Sequence, residues 1–164
     1  MLVCALVLSK LDYHNALLSG CDKKFISKLE RVQKSAARLI FRVKKREHTS
    51  PLLIALHWLP IEARIEYKLC SMCFNFFNGT APGYFDDLLT KYVCRREGNR
   101  SNNDNRTLVN IKKNLKTVSF GERSFAYCGP RAWNSLPFEV RHKLTFDSFK
   151  RALKTFLFQK FHSP

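Results

Sequence analysis

Two carboxylates stand side by side in Gly83-Tyr84-Phe85-Asp86-Asp87-Leu88-Leu89. An aromatic, one residue and two aspartates is how polymerases that copy RNA into DNA spell part of their metal site. Two divalent ions there clamp the attacking and leaving oxygens. Such a site needs carboxylates that converge from separate, rigid elements. The only aspartates upstream are Asp12 and Asp22, both near the ends of expected helices. The stretch before Tyr84 reads as helix, not sheet. Pro82-Gly83 makes a turn, and Asp86 and Asp87 suit the first turn of a short helix, near its positive end. No catalytic pair is expected here.

Cys70 and Cys73 form a Cys-x-x-Cys. Two thiolates at that spacing can bind zinc, but a structural site takes four ligands. Cys94, Cys128 and His57 are scattered, and both cysteines fall inside the apolar pattern of a helix, so core thiols are expected. His14, His48, His57, His142 and His162 are isolated, and the six glycines form no phosphate loop. No metal, cofactor or catalytic residue is expected, and the chain by itself is not expected to be an enzyme.

Charge is the feature that composition does support. Lys and Arg number 29 against 13 Asp and Glu, a formal net charge of +16, in a 164-residue chain that is 45% hydrophobic. That content is enough to bury a core. The charge excess speaks of partners: nucleic acid first, an anionic membrane surface second. The basic residues cluster, with ten between 23 and 46, eight between 91 and 116 and six between 141 and 160. Six cysteines and sequons at Asn78, Asn99 and Asn105 would suit a small secreted protein. The opening Met1–Lys10 stretch is apolar, but no basic region precedes that run and no small-residue cleavage pattern follows. An intracellular chain, cytoplasmic or nuclear, is therefore expected. No apolar run reaches the ~18 residues of a membrane span.

The elements that must carry these charges read as mainly helical. Leu2 to Ser19 reads as one helix, ended by Gly20. Asp22 can cap the next, Lys23 to Val43, where Phe25, Leu29, Val32, Ala36, Leu39 and Val43 mark an apolar face at helical spacing. Beside it, about 100° round the helix, run Lys24, Lys28, Arg31, Ser35, Arg38 and Arg42. Lys44, Lys45 and Arg46 extend that basic ridge into a loop. A capped helix is expected from Thr49 or Ser50 with Pro51 in its first turn. Another starts at Pro60, buries Ile61, Ile65, Leu69, Met72 and Phe76, and ends at Asn78-Gly79. Residues 91–116 are Asn-rich and basic and read as a linker between a helical region, 1–90, and a C-terminal helical segment, 117–164, that packs on it. A short strand pair near 107–120 is weakly signalled. Thr145 can cap a last helix that presents Phe149, Leu153 and Phe156.

Several stretches together carry a resemblance. Leu6–Gly20, Ile26–Phe41, His48–Cys70, Phe77–Leu89, Phe120–Pro137 and Phe146–Phe158 occur in that order. Of these, "LHWLPIEARIEYK" and "GPRAWNSLP" are the most specific. The chain resembles the C-terminal region of the reverse transcriptase of LINE-like, jockey-type non-long-terminal-repeat retrotransposons, over nearly its whole length. The family usually has Cys where His14 stands, and Tyr-Leu-x-Asp/Glu-Leu-Leu where Tyr84 to Leu89 stand. The resemblance implies the end of the thumb and a following helical domain of an RNA-directed DNA polymerase. The palm, with its catalytic aspartates, and the fingers would precede the equivalent of Met1. The implied role is to grip template and primer through the RNA or DNA backbone. Lys24, Lys28, Arg31, Arg38, Arg42, Lys44, Lys45 and Arg46 are the expected nucleic-acid-binding residues. The alternative is an inert structural remnant, whose former interface would show as exposed apolar surface.

Overall fold

The computed structural model describes residues 2–92, 106–109, 121 and 123–162, and among these the fold is mainly helical. Eight α-helices run in order: α1 Ser9–Asp12, α2 Lys23–Phe41, α3 Ser50–Ala55, α4 Ile61–Phe77, α5 Phe85–Leu88, α6 Phe125–Asn134, α7 Phe138–Arg141 and α8 Phe146–His162.

The central element is α4. Ile61, Ile65 and Leu69 face one way, while Cys70, Cys73 and Phe74 face another, and all are buried. Because it is apolar on more than one face, α4 serves as a wall shared by two cores. One core joins it to the N-terminal segment, α2 and α3 through Leu8, Leu11, Ile26, Ala36, Ala37, Leu53 and Trp58. The other joins it to α6, α7 and α8 through Trp133, Val140, Phe149, Leu153 and Leu157. Gly129 lets α6 lie close: a Cβ there would sit 3.1 Å from the Phe125 ring and 3.4 Å from Cys73 Sγ.

Local rules explain several boundaries. Pro60 precedes the first turn of α4, and Gly79, at φ +69°, ends it. Pro51 lies in the first turn of α3 with Thr49 at the N-cap. Thr145 Oγ1 accepts a hydrogen bond from the Ser148 N–H at 3.3 Å, which caps α8. Asp22 occupies the N-cap of α2, but its side chain makes no capping bond.

Two expectations are corrected. Leu2 to Ser19 is not one helix. A π-helical stretch, Cys4–Leu8, passes into α1, the chain breaks at Tyr13 and at left-handed His14 (φ 51°), and a 3₁₀ turn follows at Asn15–Leu18. The break falls at Asp12-Tyr13-His14-Asn15, four poor helix formers. Asp12 is instead held by Arg64 Nη1, 2.8 Å from both carboxylate oxygens. The buried face of α2 is also turned from the expected one: Ala36 is buried and Leu29 packs against the core as expected, but Ile26, Gln33 and Ala37 complete the face. Residues 107–109, in the first expected strand, pair with 90–92. Leu108 and Lys91 form an antiparallel bridge, and the Val109 N–H donates to Thr90 O at 2.8 Å. Residues 110–120, where the second strand was expected, lie outside the described residues. So does most of the expected 91–116 linker, but its described parts, 91–92 and 106–109, pair with each other, and Leu108 is buried in the core.

Cys70 and Cys73 are free thiols with no exposed surface. Burial pushes both thiols well up from their ordinary range; for Cys70, neighbouring Cys73 and Glu66 add to this and Lys160 opposes it. Unfolded thiols ionise near pH ~8.5. The folded values are raised, so the associated stability is complete below that pH and is lost as the pH climbs above it. The expected slope is about 1.4 kcal/mol per pH unit for each thiol. Urea unfolding at rising alkaline pH should show this decline. A Cys70→Ala/Cys73→Ala variant, whatever its absolute stability, should show a shallower one.

Candidate nucleic-acid interface

The ridge is placed by what anchors its helix. Gln33 is buried at the middle of α2, and its Nε2 donates to Leu59 O at 2.8 Å. Ala36 and Ala37 are small enough to let α2 approach α3 and α4. These contacts set the rotation of the helix about its axis. Lys24, Lys28 and Arg31 stand two positions from the buried line of Ile26, Gln33 and Ala37. They point about 160° away from it, nearly straight out from the body. The expected arrangement had put the ridge only about 100° from the packed face, so the correction makes it more outward.

The eight residues do not all behave alike. Lys24, Lys28, Arg31, Arg42, Lys44, Lys45 and Arg46 are exposed. None of these seven makes an ion pair among the described residues. Arg38 is half-buried; its Nη2 donates to Glu47 O at 3.3 Å, while its Nε is enclosed without a partner. Arg38 therefore ties the 42–47 loop to the helix as well as contributing charge. Arg42 closes α2 in the left-handed region (φ 54°, ψ 34°), and its N–H bonds back to Arg38 O and Leu39 O. That turn carries the basic run onward to Lys44–Arg46.

The helix that carries the ridge has little negative charge of its own. Glu30 is the only acidic side chain in α2 and is held by Lys34 at 3.2 Å. Lys23 and Lys24 occupy the first turn, where unsatisfied N–H groups already concentrate positive charge. Helix stability alone would prefer Asp or Glu there. By contrast, the cleft of about 560 Å³ between α4 and α6 sets Arg123, Arg131 and Lys160 against Glu62 and Glu66, and Lys160 is already paired with Glu66 at 2.7 Å. In the 141–160 block, Lys150 pairs with Asp147, and Arg141 donates to Thr107 Oγ1. Those two side chains are already engaged within the protein.

Asp86 and Asp87 lie in the first turn of α5 and point into solvent. Among the described residues, no three His, Cys, Asp or Glu side chains gather to hold a metal ion. No helix among them is long and apolar enough to cross a membrane.

Sequence reasoning missed one feature of this surface. Phe25, Val32 and Leu39, expected in the core, are 56%, 49% and 70% exposed and form a stripe beside the ridge. Lys28 Nζ lies 5.5 Å from the centre of the Phe25 ring. The signal that marked the true packed face was Gln33 in line with Ile26 and Ala37, a polar residue that hydrophobic periodicity discards.

No family model, curated protein or solved structure matches the chain.

Proposed function

We propose that this chain binds RNA or DNA through the sugar-phosphate backbone, without reading sequence. The observation that carries the proposal is the ridge itself. It is a line of cations from Lys24 to Arg42, about 27 Å long at 1.5 Å per residue, continued by Lys44, Lys45 and Arg46. None of its eight members has a carboxylate partner among the described residues. Phosphate contacts of this kind position nucleic acid and carry no sequence information. A chain at +16 relieves its own repulsion by binding a polyanion. Together with the resemblance of the sequence, this supports a template-primer grip for an RNA-directed DNA polymerase acting inside the cell. In that role the palm and fingers would come from elsewhere in the parent protein, and this chain would perform no catalysis.

A second reading has its own observation. Leu2, Leu6 and Leu17 are exposed on the N-terminal segment, in addition to the α2 stripe. Such surface suits a piece that once packed on another domain and has no activity of its own.

Anisotropy of a short fluorescent RNA hairpin across a salt series decides between them. Each phosphate neutralised contributes about 0.7 to 0.9 to the slope of log K against log salt. A slope steeper than about −3 is expected. Absence of binding at low salt, by a chain that circular dichroism shows to be helical, overturns the proposal and leaves the structural remnant.

A further inference from the structure

Building on the backbone-binding role proposed above, we infer that the ridge holds a single-stranded stretch, as template not yet paired with primer would be, and that one of its bases stacks on Phe25. A single strand has two unlike sides, a line of phosphates and a row of flat apolar bases. The outer surface of α2 has the same two-sided order. The cations of the ridge form one line, and Phe25, Val32 and Leu39 form the neighbouring one. Phe25 is the aromatic member, more than half exposed, and the Lys28 ammonium lies 5.5 Å from the centre of its ring. Aromatic rings beside a basic track are how proteins hold single strands without sequence preference. A duplex hides its base faces and would leave the stripe in water.

Other occupants fit less well. A helix lying in a membrane interface sets its apolar face across from its cations. Here the stripe lies beside the ridge, and across from the ridge is the protein's own core. A second copy of the chain would bring two ridges of like charge together.

The test compares three fluorescent probes of equal phosphate count: a single-stranded RNA, an abasic strand and a duplex. The wild-type chain is expected to bind the single strand about tenfold or more tightly than the abasic strand, the size of one base–aromatic stack. Phe25→Ala should erase that preference and keep the salt slope, because no cation is lost. Phe25→Trp should preserve the preference. Phe25 is on the surface, so neither variant threatens the fold. Equal affinity for ordinary and abasic strands, or a preference that survives Phe25→Ala, overturns the inference while leaving backbone binding intact. So does Phe25-dependent binding to phosphatidylserine vesicles without any base dependence on the strands. Loss of salt-dependent binding to all three probes marks the separate failure of the backbone proposal.

Discussion

Replacing Lys28, Arg31, Arg38 and Arg42 together with glutamine is expected to remove about three units from the salt slope and about a thousandfold in affinity at ~0.1 M salt. The size follows from counterion release: four phosphate contacts at about 0.7 to 0.9 each. Glutamine keeps much of each side-chain stem and a donor. That matters most at Arg38, whose guanidinium also holds Glu47 O. The informative control removes the same charge elsewhere. Lys143, Lys150, Arg151 and Lys154 lie on or just before α8, away from the ridge. Their replacement by glutamine should cost less than about one unit of slope. If both variants lose affinity equally, net charge alone draws the polyanion and α2 is not the grip. Circular dichroism should show both variants as helical as the parent, since three of the four ridge side chains are exposed.

The helices themselves were legible because their punctuation is local. Pro60, Gly79, Pro51 and Thr145 act within one turn, and the structure places each at the boundary that its chemistry demands. The ridge was legible for a similar reason, since charge spacing along one helix needs no knowledge of the neighbours. What could not be read was which side of α2 faces the body. Large apolar residues at helical spacing pointed to Phe25, Val32 and Leu39. The neighbour, however, offers the carbonyl of Leu59, which accepts from Arg64 Nε at 2.9 Å and has a second lone pair to give. A buried amide such as Gln33 needs a partner, and it finds one there, so the polar residue is satisfied on the packed side. The burial of Leu108 was hidden in the same way. Its N–H donates to Asn134 Oδ1 at 3.0 Å and its carbonyl accepts from Asn134 Nδ2 at 2.8 Å. A partner 26 residues away leaves no mark in a polar, Asn-rich stretch. Long-range polar satisfaction, not propensity, decided both cases.

Trp133→Ala should be the most damaging single change in the chain, lowering stability by about 3–5 kcal/mol. Trp133 is fully buried where α4, α6 and α8 meet, with its ring 5.1 Å from Phe77, 5.7 Å from Phe149 and 6.5 Å from Phe74. Its Nε1–H donates to Arg106 O at 2.6 Å, so the indole also fastens residues 106–109 to the helical body. Truncation leaves a cavity and takes the indole donor from Arg106 O, a large part of the 5–15 kcal/mol that holds a typical domain together. Trp133→Phe refills most of the space without the donor, so its deficit relative to wild type should be nearer 1 kcal/mol plus a packing term. Urea unfolding measures both, and alkylation of Cys70 and Cys73 reports the opening directly, since neither thiol is exposed in the folded chain. The same variant asks whether the ridge depends on the distal core. Both cores share α4, so unfolding should remain a single transition, and RNA binding should fall with the helicity as the Trp133→Ala chain melts. If binding instead persists after the α6–α8 core has opened, α2 and its anchor at Leu59 stand without the C-terminal half, and the grip resides in the N-terminal core alone.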